Sequence, residues 1–372
     1  MPNPFKITYK LICFVLVLSA FACNQVAKKP ERKVVKKVQK AKPKEYKEIK
    51  YTEPQLIAFF DSVGKLPIEP LMTKAAFYAD SVFKNFVKPM NRQLSATDFD
   101  LLKRAIKAKR INAHTAKQFF GEFTADSTCN MNGLFDSVKR GYVYLKAYSF
   151  AKNINKYDEF AVGVADGFHC QGAMIYYFKG SKIIAKQESS RDTTDPEYFT
   201  NTDGENIVYT VYQFTHGTGV SWLNYFFYKY EGDKLIPVLN ELGNGNIQGS
   251  WAGRVLWLDA TIKKTNPLTL KMVYYNHFCR EGQIGWGPVV VNDSTMVSYK
   301  WDEKSKTLIG QYGKSKLSKA QILSYYLDEN SDLLFMNALQ KPLRAALNNK
   351  ENRTLMLRYL RNVKNYQDTV GK

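Results

Sequence analysis

Apolar and polar positions along this chain follow two periods, and the change from one to the other divides it. From residue 51 to about residue 125, apolar residues recur three and four positions apart, the spacing of one helical face. Thr52-Glu53-Pro54-Gln55 reads as a capping box that starts a helix, with Leu56, Phe59, Phe60 and Val63 on its inner face and Gly64 as its stop. A longer helix over 69–87 carries Leu71, Ala75, Tyr78, Val82 and Phe86 on one stripe. A third opens at Ser95 with Phe99, Leu102 and Ile106 facing inward, and 112–123 adds a short fourth. The third helix also bears Lys103, Arg104, Lys107, Lys109 and Arg110, which reads as a solvated face. From Gly141 the period becomes two, the spacing of strands. Helical spacing returns at Ser318, which with Gln321 makes a second capping box ahead of Ile322, Tyr325 and Tyr326. A break over 328–332, a helix over 354–363 facing inward through Met356, Leu360 and Val363, and a loose tail over 367–372 complete the pattern.

The β-rich part is organised around residues 206–239, which read as three antiparallel strands joined by a glycine-bearing loop and by Glu231-Gly232-Asp233. The middle strand is apolar on both faces, with Trp222, Phe226, Tyr228 and Tyr230 alternating against Leu223, Tyr225 and Phe227, as a strand covered from two sides requires. The same hairpin pattern occurs over 174–184, 225–236 and 296–309: an aromatic strand, a polar turn, a Lys, then branched apolar residues. A further strand precedes each copy, over 159–164, 207–214 and 268–278. The expected class is α+β: N-terminal helices, an aromatic-rich antiparallel β-sheet built as a sandwich or as a meander of three hairpin repeats, and C-terminal helices packed on the sheet. The alternative is propeller-like packing of the repeats. Asn201-Thr202-Asp203-Gly204 resembles the tail of the calcium loop in FG-GAP-type propeller blades, but Phe199 stands where that loop needs its first oxygen ligand.

Composition adds a compartment to this picture. The chain is 45% hydrophobic and 14% aromatic over 372 residues, which is ample for a core. Its formal charge is +20, yet residues 28–50 hold eleven Lys or Arg against three Glu, and Lys6 and Lys10 precede them. The rest is only mildly basic, so the charge belongs to a self-repelling tether and is no nucleic-acid footprint. Before the tether, an apolar run over 11–18 follows Lys6 and Lys10, too short to span a bilayer and typical of a secretory signal. Its end, Leu18-Ser19-Ala20-Phe21-Ala22-Cys23, resembles the lipobox of bacterial lipoproteins, with Ala20 in place of the usual Leu and Phe21 in place of a small residue. That resemblance implies diacylation of Cys23, and Asn24 behind it implies outer-membrane attachment. Ala20-Phe21-Ala22 also fits an ordinary signal-peptidase site, which would leave Cys23 a plain thiol.

Candidate chemistry sits in the loops between strands. His169, His216 and His277 occupy echoing positions in the three repeats, with Asp166 and Glu281 nearby, and would make a metal site if the loops converged. Strand alternation puts His277 on the face of Thr269 and Lys271, toward solvent or a cleft. Cys170 and Cys279 lie beside two of these histidines and are the pair favoured for a disulfide. Trp251 and Trp286 stand in glycine-rich stretches, where aromatic side chains serve sugars or partner proteins. No H-E-x-x-H, C-x-x-C or G-x-S-x-G pattern occurs, and Gly313-Lys314-Ser315 lacks the first glycine of a P-loop because Leu308 holds that place.

The reading is therefore a signal over 1–22, a lipid-anchored basic linker over 23–50, a helical segment over 51–125, a β-rich domain over 140–312 and C-terminal helices over 318–366. Its function is expected to be binding or structural rather than catalytic, toward a glycan or protein of the envelope, with the membrane engaged through anchor and tether. No cofactor is expected beyond the lipid on Cys23. The alternative is a secreted metal-dependent hydrolase using the three histidines.

Overall fold

The computed structural model describes residues 49–121, 141–150, 157–165, 173–189, 193–215, 220–247, 253–279, 286–326 and 331–369. Helices α1 (Glu53–Gly64) and α2 (Ile68–Phe86) lead into strand β1 (Val87–Gln93), followed by α3 (Ala96–Ala108), β2 (Arg110–Asn112) and α4 (Ala113–Phe120). Strands β3 (Tyr142–Ser149), β4 (Glu159–Ala165), β5 (Ala173–Lys179) and β6 (Lys182–Ser189) complete a six-stranded sheet in the order β1-β6-β5-β4-β3-β2. Strands β7 (Glu197–Thr200), β8 (Asn206–Thr215), β9 (Val220–Glu231), β10 (Lys234–Ile247), β11 (Arg254–Thr265), β12 (Leu268–Cys279), β13 (Trp286–Asp302) and β14 (Thr307–Gly310) form an eight-stranded meander in chain order. Helices α5 (Lys319–Leu323), α6 (Ser331–Ala338), α7 (Gln340–Asn348) and α8 (Lys350–Thr369) close the chain. This is an α+β fold with two open antiparallel sheets, and no propeller forms from the described strands.

The predicted caps are in place. The Thr52 backbone N–H donates to Gln55 Oε1 at 2.8 Å, and Ser318 N–H does the same to Gln321 Oε1 at 2.8 Å, so each helix start satisfies donors that would otherwise be orphaned. The three hairpin repeats are also real, but they are divided between sheets. The first supplies β4 to β6 of the smaller sheet; the second and third supply β8 to β10 and β12 to β14 of the larger. Gly180 and Gly232 turn two of the hairpins with φ of 57° and 55°, a region that glycine enters without a Cβ clash. Lys306 does so in the third at φ 54°, its ammonium held by Glu231 at 3.1 Å and by Glu303.

The two sheets pack through aromatic residues. Phe150, Ala161, Ile175 and Tyr177 of the smaller sheet meet Val208, Phe226, Tyr228 and Tyr230 of the larger, while α3 and α4 cover the smaller sheet's other side through Leu102, Ala105, Phe119 and Phe120. β9 is thus buried on both faces as its pattern predicts: Phe226, Tyr228 and Tyr230 face the smaller sheet and Phe227 faces the opposite core. That core joins α2 and α5 to Leu256, Leu258, Leu270, Met272 and Val297, and α1, α6, α7 and α8 gather around Phe278.

Three helical details differ from the pattern. The buried stripe of α2 is Leu71, Ala75, Ala79 and Phe83, leaving Tyr78 61% exposed, because strict four-residue spacing of small and large groups sets the contact with the sheet. The break expected over 328–332 falls mostly within 327–330, outside the described residues, but α6 already begins at Ser331, with Asp332 buried in its first turn and paired with Arg254. The C-terminal helix continues through Thr369, so of the tail expected over 367–372 only 370–372 lie outside the described residues.

Edge strands are short or interrupted. β2 has three residues, β7 and β14 have four each, and β1 carries Pro89 at an irregularity of its pairing with β6.

Candidate functional site

Cys23, His169, Cys170, His216 and Trp251 lie outside the described residues. Trp286 opens β13, its Cα paired with that of Cys279, so it belongs to a strand and not to a loop. Cys279 is buried on β12. His277 is 6% exposed, its ring edge-on to Tyr275 at 4.9 Å; the alternation that sent it to solvent fails at the register shifts flanking it in the β12–β13 pairing. Among the described residues no three His, Cys, Asp or Glu side chains come together as a metal would require.

The strand ends flanking the three histidine positions do share one end of the molecule. Meander connectivity puts the β8–β9 and β12–β13 connections at the same end of the larger sheet. The smaller sheet runs alongside: Asn206 Nδ2 donates to Glu159 Oε2 at 2.7 Å and Lys182 pairs with Asp233 at 3.0 Å at one end, while Thr193 bridges Tyr212 toward the other.

The opposite end holds a formed site. β13 pairs with β12 as far as Ser298 and with β14 from Tyr299 onward, so its last residues fold back across the sheet. This brings Tyr299, Trp301 and Leu308 against Phe199 and Ile207 at the start of the meander, around a cavity of about 180 Å³. Its rim is polar: Asn201, Thr202 and Asp203 from the β7–β8 turn, Thr265 and Asn266 with Pro267 from the β11–β12 turn, and Lys300. The β7–β8 turn is internally satisfied, since Asn201 Oδ1 accepts from the backbone N–H groups of Asp203 at 3.0 Å and Glu205 at 2.9 Å. Gly204 completes it at φ 82°. The stretch that resembles a calcium loop therefore spends its first amide oxygen on its own backbone.

Two buried charges back this cavity. Lys229 on β9 is 4% exposed, pairs with Glu205, and sets its ammonium 4.0 Å from the centre of the Trp301 ring. Glu241 on β10 is 1% exposed and accepts from Lys319 Nζ at 2.7 and 2.9 Å, from Tyr299 at 3.0 Å and from Tyr312 at 2.5 Å. Burial first, and then the Glu241 charge, push the Tyr299 and Tyr312 hydroxyls well above the ordinary phenol range, so both remain donors to the carboxylate. Tyr299 thus belongs to the cavity wall and to this network at once, which fixes the wall's position.

The cavity compares with one of about 150 Å³ that holds a benzene ring. Its volume is comparable to that of one six-membered ring, and its lining combines aromatic and aliphatic walls with amide, hydroxyl, carboxylate and ammonium groups. Nothing in the local sequence around Trp301 marks it as part of a site. Its neighbours come from four separate parts of the chain, and no local motif joins them. Compared with protein-family models, with curated proteins and with solved structures, the chain shows no match to any of the three.

Proposed function

We propose that the chain is a lipid-anchored protein of the cell envelope, of binding type, whose body holds one ring of a glycan in the cavity at the turn end of the eight-stranded sheet. The observation that carries the reading is the make-up of that cavity, with Trp301, Tyr299 and Phe199 as walls and Asn201, Asp203, Asn266 and Lys300 at the rim. Pyranose rings present apolar faces and a hydroxylated edge, and aromatic walls with a polar rim match both. Among the described residues no helix is long and apolar enough to cross a membrane. Attachment in this reading rests on Cys23 in its lipobox-like setting, with the basic tether over 28–50 as the spacer, and the outer membrane is the compartment proposed.

The test uses the full-length protein with soluble disaccharide fragments of envelope polysaccharide, followed by tryptophan fluorescence and calorimetry. Saturable binding is expected, weakened at least about tenfold, or about 1.4 kcal/mol, in Trp301→Ala. Absence of binding, or equal affinity in the variant, overturns the glycan reading and leaves an envelope protein as the ligand class to test. Metabolic labelling with radioactive palmitate is expected to mark the wild type and not Cys23→Ser.

A further inference from the structure

The last two residues of the stripe expected on α2, Val82 and Phe86, are only half-buried against the core and border a second and larger hollow. Ser81, Val82, Asn85 and Phe86 of α2, Lys88 of β1, Met174 of β5, Lys186 and Glu188 of β6, and Tyr212 of β8 line an open cleft of about 450 Å³. That volume falls in the range of about 300–1,000 Å³ typical of small-molecule sites. Its apolar surface is continuous: Phe86 meets Tyr212 edge-on at 5.2 Å, and Tyr212 meets Phe214 at 4.8 Å. It shares no lining residue with the turn-end cavity.

The charge on its wall is unbalanced. Lys88 and Lys186 are directly opposite one another in the β1–β6 pairing, an arrangement of like charges that costs stability. Glu188 approaches Lys88 at 3.7 Å, but with side chains 60% and 73% exposed this contact is screened and weak. Lys186 lines the same cleft, is half-buried and carries no ion pair among the described residues. An anion between the two ammonium groups would relieve the repulsion, and an apolar body attached to it would cover Val82, Phe86, Met174 and Tyr212.

We infer that this cleft binds an amphipathic anion, with a carboxylate or phosphate head between Lys88 and Lys186 and an apolar chain against Val82, Phe86, Met174 and Tyr212. The inference stands independently of the glycan reading. It is tested on the full-length chain held in amphipol, photolabelled with a twelve-carbon carboxylate bearing a diazirine, and separately with the matching trimethylammonium probe. The carboxylate is expected to mark peptides containing Val82 and Met174, with at least about fivefold less label in the Lys88→Gln/Lys186→Gln double variant and little label from the cationic probe. Competition by laurate or by dodecyl phosphate then separates a fatty-acid from a phospholipid-like head, and either supports the site. Ser81→Trp, which fills the cleft and leaves both lysines, should abolish labelling. Equal labelling by the two probes, label unaffected by the lysine changes, or label that persists in Ser81→Trp overturns the inference.

Discussion

Asp332 and Glu241 are both buried carboxylates against the eight-stranded sheet, each with one cationic partner, Asp332 with one tyrosine donor and Glu241 with two, yet they sit in different surroundings. Asp332 accepts from Arg254 Nε at 2.5 Å and from Tyr359 at 2.8 Å, and Arg254 is itself only 2% exposed, with its guanidinium 4.2 Å from the Phe335 ring centre. The pair joins β11 to α6 and α8, and neither member has water to retreat to. Lys319, in contrast, has a side chain 30% exposed and can swing outward, leaving Glu241 to its two phenols. The first pair welds helices to sheet. The second is a seam beside the cavity, sharing Tyr299 with it, and is the one that a ligand could feel.

The contrast can be broken by measurement. Asp332→Ala strands a buried guanidinium and should cost about 3–5 kcal/mol in urea unfolding. Glu241→Gln keeps the shape and frees Lys319 to reach solvent, so about 1–3 kcal/mol is expected. If the second loss equals the first, the two sites are equivalent and the seam does not exist. Tyr312→Phe should cost least, about 1 kcal/mol at neutral pH. It carries a pH signature as well. Because the fold raises the pKa of Tyr299 and Tyr312, unfolded phenols ionise first, at about pH 10, and stability is full below that pH and falls above it. Unfolding titrations between pH 8 and pH 11 should show a shallower alkaline decline in Tyr312→Phe than in the wild type; an unchanged slope would remove Tyr312 from the network.

Much of this fold was legible from local chemistry. Thr52 with Gln55 and Ser318 with Gln321 announced helix starts because capping is a contact between near neighbours. Gly180 and Gly232 marked hairpins for the same reason. The strands that escaped notice did so for physical causes: β1 reads Val-Lys-Pro-Met-Asn-Arg-Gln, an edge with one buried position and little alternation, and β2 is a three-residue edge. β11 does alternate, with Leu256, Leu258 and Ala260 inward against Trp257, Asp259 and Thr261, but its glycine-rich and lysine-rich flanks hide its ends in the sequence. The distribution of the three repeats between two sheets depends on long-range packing, and so does the cavity. Trp301 looks like any strand aromatic until β13 folds back and sets it against Lys229 and the first turn of the meander.

Brevity at the edges has a bearing on how copies of this protein coexist. If the proposed anchor holds chains side by side, they would meet at high local concentration, each with fourteen strands among its described residues. A long flat edge in that setting would recruit its neighbour into a growing cross-β stack. The three- and four-residue margins at β2, β7 and β14, and the proline in β1, give a neighbouring backbone too few successive donors and acceptors to register on. In the proposed anchored arrangement, these short edges would keep neighbouring bodies separate.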